Sequence, residues 1–393
     1  MNIVRKQKTH GKNILLLLFI VPFLMGMGVD LYVPSLPEIT TYLHTKSSLV
    51  QLTISVYMLG YGIGQLFLGF LSDHWGRRSI LLISASFYTI LSFLIIFSPN
   101  IELLNIYRFM QGIGIAGLAV VTRAIIVDCF SGKTLSKMAN YFVLSWTLGP
   151  IVGPFIGGYL QHYFFWQADF YFFSLYGLGV YLFILFYIPE TNYNRSPLCF
   201  SKIYTNAHTI ISNKKFFYLT SAASLGYAVI VLFNVIGPFL IQTVMHYSVV
   251  NYGYIALFLG VAYSFGSFCN RIAMRYFENI QLFFFSIICL IIFSGLMLIL
   301  SIFCPLKLII VLLPAVLVFV ACGCIVPNGS ASTMGIFPKI GGAASSIFGT
   351  LAGIIAFTVT FSGSLLRTNS LVPLACTYFV LSIGSLALFL KAK

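Results

Sequence analysis

Apolar positions in this chain neither alternate nor fall on one face of a helix; they come in long unbroken runs. Twelve such runs lie near 13–34, 48–70, 79–98, 102–124, 138–160, 168–188, 216–241, 252–272, 280–302, 307–326, 341–365 and 371–390, separated by short polar or basic segments. A run of about 18 or more apolar residues is long enough to cross a ~30 Å hydrocarbon core as a helix. Lipid supplies no hydrogen-bond partners, so every backbone N–H and C=O must be satisfied within its own segment. The pattern therefore predicts an all-α integral membrane protein with twelve transmembrane helices. The longest connection, from about Pro189 to Lys215, is too short for a soluble domain.

Composition agrees: 59% of the 393 residues are hydrophobic and 8% are charged, against about 25% charged in a soluble domain. The net charge of +14 would suit nucleic acid in a soluble protein, but here its placement follows the loops. With both termini placed in the cytoplasm, seventeen Lys and Arg fall in inner segments: Arg5, Lys6, Lys8, Lys12, Arg77, Arg78, Lys133, Lys137, Arg195, Lys202, Lys214, Lys215, Arg271, Arg275, Lys339, Lys391 and Lys393. Three fall outside: Lys46, Lys307 and Arg367. That asymmetry is the positive-inside rule and sets the expected orientation. The basic, then apolar, N-terminus resembles a signal peptide. Its apolar run is too long and no small-residue cleavage site ends it, so it is read as the first span. The eight Cys are scattered, with no metal or redox spacing, and read as small apolar packing residues.

The polar, basic segment near the middle divides the chain into an N-terminal six-helix bundle (1–190), a cytoplasmic linker (191–214) and a C-terminal six-helix bundle (215–393). The halves carry traces of a repeat. Gly69-Phe-Leu-Ser-Asp73, leaving span two, aligns with Gly266-Ser-Phe-Cys-Asn270, leaving span eight, and Asp30-x-x-x-Pro34 in span one aligns with Asn234-x-x-x-Pro238 in span seven.

Three segments carry a family resemblance. Gly69-Phe-Leu-Ser-Asp-His-Trp-Gly-Arg-Arg78 resembles the G-x-L-[SA]-D-R-x-G-R-[RK] signature of the major facilitator superfamily, with His74 in place of the usual Arg. Gly69 and Gly76 suit close approach and a tight turn. Asp73 offers a charge-assisted acceptor, and Arg77 and Arg78 hold the inner side. Arg108-Phe-Met-Gln-Gly-Ile-Gly114 resembles the superfamily's R-x-x-Q-G-x-G. Gly149-Pro-Ile-Val-Gly-Pro-Phe-Ile-Gly-Gly158, with Pro150, Gly153, Pro154 and Gly157, resembles the G-P-x-x-G-G pattern of its drug:proton antiporters. Glycines four apart present a smooth packing face, read here as part of the seam between the halves. Asp30-Leu-Tyr-Val-Pro-Ser-Leu-Pro37, Thr122-Arg-Ala-Ile-Ile-Val-Asp128 and Pro238-Phe-Leu-Ile-Gln242 resemble the bicyclomycin-resistance (Bcr/CflA) branch, Val127 replacing an Arg. The resemblance implies the major facilitator fold: two six-helix bundles around a central cavity. Gly112-Ile-Gly-Ile-Ala-Gly117 satisfies a dinucleotide fingerprint, but it lies in mid-span without the strand that motif requires.

An ionisable group inside a bilayer is costly and is a functional candidate by default. Asp30 alone among the eight acids lies well inside a predicted span; Glu38, Asp73, Glu102, Asp128, Asp169, Glu190 and Glu278 are read as span-end or loop acids. Asp30 lies about 24 Å from the inner start of span one and Arg108 about 9 Å from the outer start of span four, at the rise of a helix. The matching depths suggest that the two face each other, with Gln111 beside them. Asp30 then either carries a transported proton or forms a static ion pair that holds two helices together. Tyr32, Tyr57, Met58, Tyr61, Phe142 and Asn234 are candidates to line an adaptable cavity. Asp73, Arg77, Arg123 and Asp128 are candidates for an inner gate closing over Gly341 and Gly342, or else ordinary helix-end charges.

These readings converge on a proton-coupled antiporter of the bacterial cytoplasmic (inner) membrane that exports small amphipathic compounds, drugs included, by alternating access. A dedicated transporter of an amino acid, purine or siderophore is the alternative within the family; a membrane-embedded enzyme or a non-transporting receptor is the alternative outside it. No metal or cofactor is implied beyond the proton gradient. The partners expected are substrate, protons and lipid, not nucleic acid, and the chain is expected to be a monomer.

Overall fold

The computed structural model describes residues 2–193, 200–337, 341–366 and 369–392, with side chains from Gly11 onward except at 200–204 and 206. The charges counted at Arg5, Lys6, Lys8, Arg195, Lys202, Lys339, Arg367 and Lys393 lie outside the described side chains. Among the described residues, twelve helices are long and apolar enough to cross a membrane. They are span one Gly11–Tyr42, two Ser47–Trp75, three Arg77–Ile96, four Ile101–Cys129, five Gly132–Tyr163, six Gln167–Tyr187, seven Lys214–Val244, eight Val249–Ala273, nine Asn279–Phe303, ten Leu308–Met334, eleven Gly341–Ser364 and twelve Val372–Lys391. The connections are short, and side chains close several helix starts. Asn100 accepts from Leu103 N–H, Asn213 from Phe216 N–H and Ser248 from Asn251 N–H. Glu278 and Gln281 form a reciprocal capping box, so backbone donors left free at those ends find partners.

Span one runs past the predicted end at residue 34. Its helix stops at Asp30, a 3₁₀ turn covers Val33–Ser35, and a second helix continues over Leu36–Tyr42. Pro34 and Pro37 lack the N–H that would bond the carbonyls four residues earlier, so the helix breaks where they stand. Span seven departs from the α-helix four residues later in the shared pattern: its α-helix runs through Asn234 to Pro238 and a π turn covers Phe239–Val244. The two matching sequence segments thus both lie where a span leaves regular α-helix. The linker also differs from the polar loop expected, because Phe200–Ser212 is helical. Ile210 at its end is buried with Phe216 against Ala344 and Ile347 of span eleven.

The two halves meet along a seam made by spans two and eleven on one side and five and eight on the other. Gly62 and Gly353 put backbone against backbone: a Cβ added to Gly353 would stand 2.6 Å from the Gly62 Cα. Gly158 and Gly253 play the same part between spans five and eight, where a Cβ on Gly158 would stand 3.0 Å from the Val249 carbonyl oxygen. Residues without a Cβ allow this approach.

Candidate functional site

Asp30 is the last residue of the first helix of span one. Its carboxylate faces the seam, where Oδ1 accepts a hydrogen bond of 2.7 Å from the Asn234 amide of span seven. Acid and amide therefore occupy equivalent positions in the two halves and meet across the boundary. Asp30 is partly exposed and Asn234 is buried. Beyond them, toward the end opposite the chain termini, Gln242 Nε2 donates to the Pro34 carbonyl at 2.9 Å. Gln51 Nε2 of span two donates to the Val235 carbonyl, also at 2.9 Å. Pro238 has no N–H to offer the Asn234 carbonyl and Pro34 none to offer that of Asp30, so the breaks leave polar backbone where the halves touch. Side-chain amides from the other half satisfy part of it.

The expected Asp30–Arg108 pair does not form: the Asp30 carboxylate bonds Asn234, and Arg108 finds its partners elsewhere. Arg108 is fully buried. It donates to Gln111 Oε1, and to the Gly28 carbonyl at 3.1 Å. Its guanidinium lies 4.2 Å from the ring centroids of both Tyr32 and Tyr57. Gly28 and Asp30 are two residues apart, so they point to nearly opposite faces of the helix. Arg108 sits at the expected level but approaches the inward face of span one, while Asp30 looks across the seam. With span one ending at Tyr42, Asp30 lies roughly 18 Å from that end at 1.5 Å per residue, deeper than expected. Two aromatic faces and two oxygens, rather than a carboxylate, hold the cation. Tyr32 and Tyr57 are consequently the walls of an arginine clamp and not cavity lining.

The glycine stripe of span five also faces elsewhere than expected. Cβ atoms on Gly149 and Gly157 would run into the backbone of Gly26 and Leu31, and one on Gly153 would stand 3.5 Å from the Asp30 Cβ. Pro150 lies against Gly26 in the same contact. This face packs span five onto span one within the first half and supports the segment ending at Asp30. Gly158 and Pro154, on the adjoining face, are the ones that meet span eight.

The inner motif assembles as expected at its centre. Arg77 bridges two acids, Nη1 to Asp73 Oδ1 at 2.5 Å and Nε to Asp128 Oδ2 at 2.9 Å, and also donates to Ser72 Oγ at 2.7 Å. Gly76 has φ +98°, a conformation that favours glycine. Beside it the Glu190 carboxylate accepts from the backbone N–H groups of Arg77 (2.9 Å) and Arg78 (3.2 Å), capping span three. Arg78 donates to the Leu185 carbonyl at 2.7 Å. These bonds all lie within the first half. Gly341 and Gly342 have nothing within 4 Å of an added Cβ, so the network does not close over them. The crossing to span eleven is made deeper, at Gly69 beside Ser346 and at Gln65 against Gly349. Arg123 stands apart from the network, donating to Gln65 Oε1 (3.3 Å) and Tyr61 Oη (3.4 Å), with its guanidinium 5.4 Å from the Phe142 ring. Met58, buried, lends its carbonyl to the contact with Gly353.

The second half repeats the inner arrangement without charge. Gly69 abuts Val120 of span four and Gly266 abuts Val320 of span ten. Where the first half has Asp73, Arg77 and Asp128, the second has Asn270 and Asn328, whose buried side-chain amides bond each other at 2.6 and 3.4 Å.

Sequence reasoning missed four residues. Glu190 was read as a loop acid. Asp169, read as a span-end acid, is 0% exposed. Tyr227 and Tyr263 are partly exposed, and Tyr227 lies within electrostatic reach of Asp30, Tyr61 and Tyr263. In a chain with 23 tyrosines and 39 phenylalanines, two tyrosines carry no local signal that they line a seam.

A model of the Major Facilitator Superfamily matches residues 18–360. A transporter of Rickettsia bellii is 30% identical over 370 residues, covering 91% of each chain. The bicyclomycin resistance protein homolog of Haemophilus influenzae is 32% identical over 258 residues, 65% of each. Multidrug resistance protein D of Escherichia coli is 26% identical over 348 residues, covering 88% of this chain and 87% of its own. Among solved structures, a D-xylose-proton symporter superposes with a TM-score of 0.78 at 15% identity, over 98% of this chain and 97% of that one. The likeness to that structure is one of fold.

Proposed function

The chain belongs to the major facilitator superfamily and is a multi-pass membrane transporter, and on that premise we propose that it is a proton-coupled antiporter exporting small amphipathic compounds. The reading places both termini in the cytoplasm and the protein in a bacterial cytoplasmic membrane. The excess of Lys and Arg in the segments at that end supports this.

The observation that carries the proposal is the bond between Asp30 and Asn234. An ionised carboxylate at this depth costs several kcal/mol unless it is paired or protonated, and this one ends a helix, where the dipole disfavours negative charge. Its one described side-chain partner belongs to the other half, so any movement that parts the halves strips the carboxylate of that partner. A proton or a cationic substrate then takes over the compensation. The two compete for one group, and by linkage each weakens the other's binding by the same factor. Tyr61, Tyr227 and Tyr263 supply aromatic surface with hydroxyl edges on both sides of the boundary, which suits amphipathic compounds. The resistance-linked names of the bicyclomycin and multidrug relatives support the same substrate class.

The test is flux into proteoliposomes. A pH gradient should drive transport of a cationic amphipathic tracer by the wild-type protein, and Asp30→Asn should abolish it along with proton release on substrate binding in detergent. Correctly folded Asp30→Asn protein that exchanges substrate for protons at the wild-type ratio would show Asp30 to be structural.

A further inference from the structure

The first half also holds an acid that is fully enclosed. Asp169 lies in the first turn of span six, 0% exposed. Its Oδ2 accepts a 2.6 Å hydrogen bond from Ser35 Oγ, and its Oδ1 has no hydrogen-bond partner. Ser35 closes the 3₁₀ turn that follows Asp30. Toward the surface, Glu38 stands one turn further along span one, partly buried. It accepts from Gln161 Nε2 at 2.9 Å and from the backbone N–H of Trp166. Trp166, three residues before Asp169, is also 0% exposed with its Nε1 unpartnered. Residues three apart share a helix face.

An enclosed carboxylate with one accepted hydrogen bond is an uncompensated charge when ionised. The groups around it are few. Glu38 faces it from span one. Arg108 is separated from it by the Phe170 ring, over which its guanidinium stands at 5.9 Å. Tyr32 and Tyr88 reach the same aromatic packing through Phe170 and Phe173. Among these partners no cation bonds Asp169, and a second acid lies between it and the surface.

We propose that Asp169 is a second proton-binding carboxyl, the inward step of an outer port in which Glu38 takes protons from the outer solution and Ser35 links Asp169 to the Asp30 segment. A proton arriving by way of Glu38 occupies Oδ1. To pass inward, the carboxyl turns so that its protonated oxygen meets Ser35; it gives that proton to Oγ, Ser35 gives its own proton to a water molecule, and the water delivers it to the Asp30 carboxylate. Asp30 lies five residues away along the chain, roughly 8 Å at helical rise, at the inner end of the same break. The proposal rests on the proton coupling of Asp30 and on the orientation given above.

The test uses full-length protein in proteoliposomes with two readouts: pH-gradient-driven flux of the cationic tracer, and tracer counterflow at equal pH, which needs no net proton movement. Asp169→Asn and Ser35→Ala are each expected to slow driven flux at least tenfold while counterflow stays within twofold. Glu38→Gln should slow it less, because Glu38 is partly open to water. Driven flux at the wild-type rate in Asp169→Asn and Ser35→Ala, where Asp30→Asn has lost it, overturns the port and leaves the Asp30 reading standing. Equal loss of both readouts in Asp169→Asn, with Ser35→Ala unaffected, makes Asp169 structural. Flux driven by a sodium gradient alone would assign the site to that cation instead. If Asp30→Asn itself keeps driven flux, the coupling reading fails first, and the port fails with it.

Discussion

Asn234 and Asp30 hold equivalent positions four residues before a helix-breaking proline, one in each half, and the amide of the first bonds the carboxylate of the second at 2.7 Å. The bond joins the two halves that the proposed alternating access would part, so its loss should show in the balance between closed and open states. A hydrogen bond to a charged group contributes about 1.5–3 kcal/mol. Asn234→Ala is therefore expected to speed labelling of a cysteine placed at Val33, buried in the span-one break, by about tenfold or more. An unchanged labelling rate would mean that the outer end is held by Gln242 and Gln51 alone.

The span-five glycines separate into two kinds by what a methyl group would meet. Gly157→Ala drives a Cβ into the Leu31 carbonyl, an overpacking that costs about 1–3 kcal/mol; it should lower the melting temperature of the purified protein. Gly158→Ala presses on span eight across the seam and should slow transport with a smaller loss of melting temperature. Gly179→Ala, with nothing within 4 Å, serves as the control and should change neither. Equal effects of Gly157→Ala and Gly158→Ala on both measurements would contradict this division.

In the inner network, Arg77 touches two acids while Glu190 holds the turn that aims it. Arg77→Ala and Asp73→Asn should leave substrate affinity near normal and slow turnover, because the network biases conformations without lying at the seam site. A double-mutant cycle on Arg77→Ala and Asp128→Asn should return a coupling of about 0.5–3 kcal/mol in thermal stability. Glu190→Gln, which weakens the cap on span three, should reproduce the slow turnover in part. Lost substrate binding with a normal cycle would place these residues at the substrate instead.

Orientation can be read directly in intact cells. Cysteines at Thr45, between spans one and two, and at Tyr247, between spans seven and eight, should react with an impermeant reagent added outside. One at Thr205, in the linker helix, should not. Labelling at Thr205 would invert every inner and outer assignment made above.

Hydrophobicity settled the spans. A run of apolar residues in lipid has almost no alternative to a helix, and so the twelve spans were legible before any coordinates, as was the shared Asp30/Asn234 sequence pattern. The inner triad was legible as well, since Asp73 and Arg77 belong to one short motif at the turn between spans two and three and Asp128 belongs to a matching motif. Depth could be counted only in part: Arg108 meets span one at the level expected, but Asp30 lies deeper because that span runs on to Tyr42. Facing could not be counted. Whether Arg108 meets Asp30 depends on the rotation of span one about its axis, which is set by the glycines of span five and the rings of Tyr32 and Tyr57 closing on the guanidinium. The burial of Asp169 likewise depends on span one continuing to Tyr42 and bringing Ser35 against span six. Such contacts join residues as far apart as Arg108 and Gly28, 80 positions, or Ser35 and Asp169, 134 positions, and leave no periodicity behind them. An apolar sequence specifies which segments enter the membrane; the packing of helix on helix decides which polar atoms find one another there.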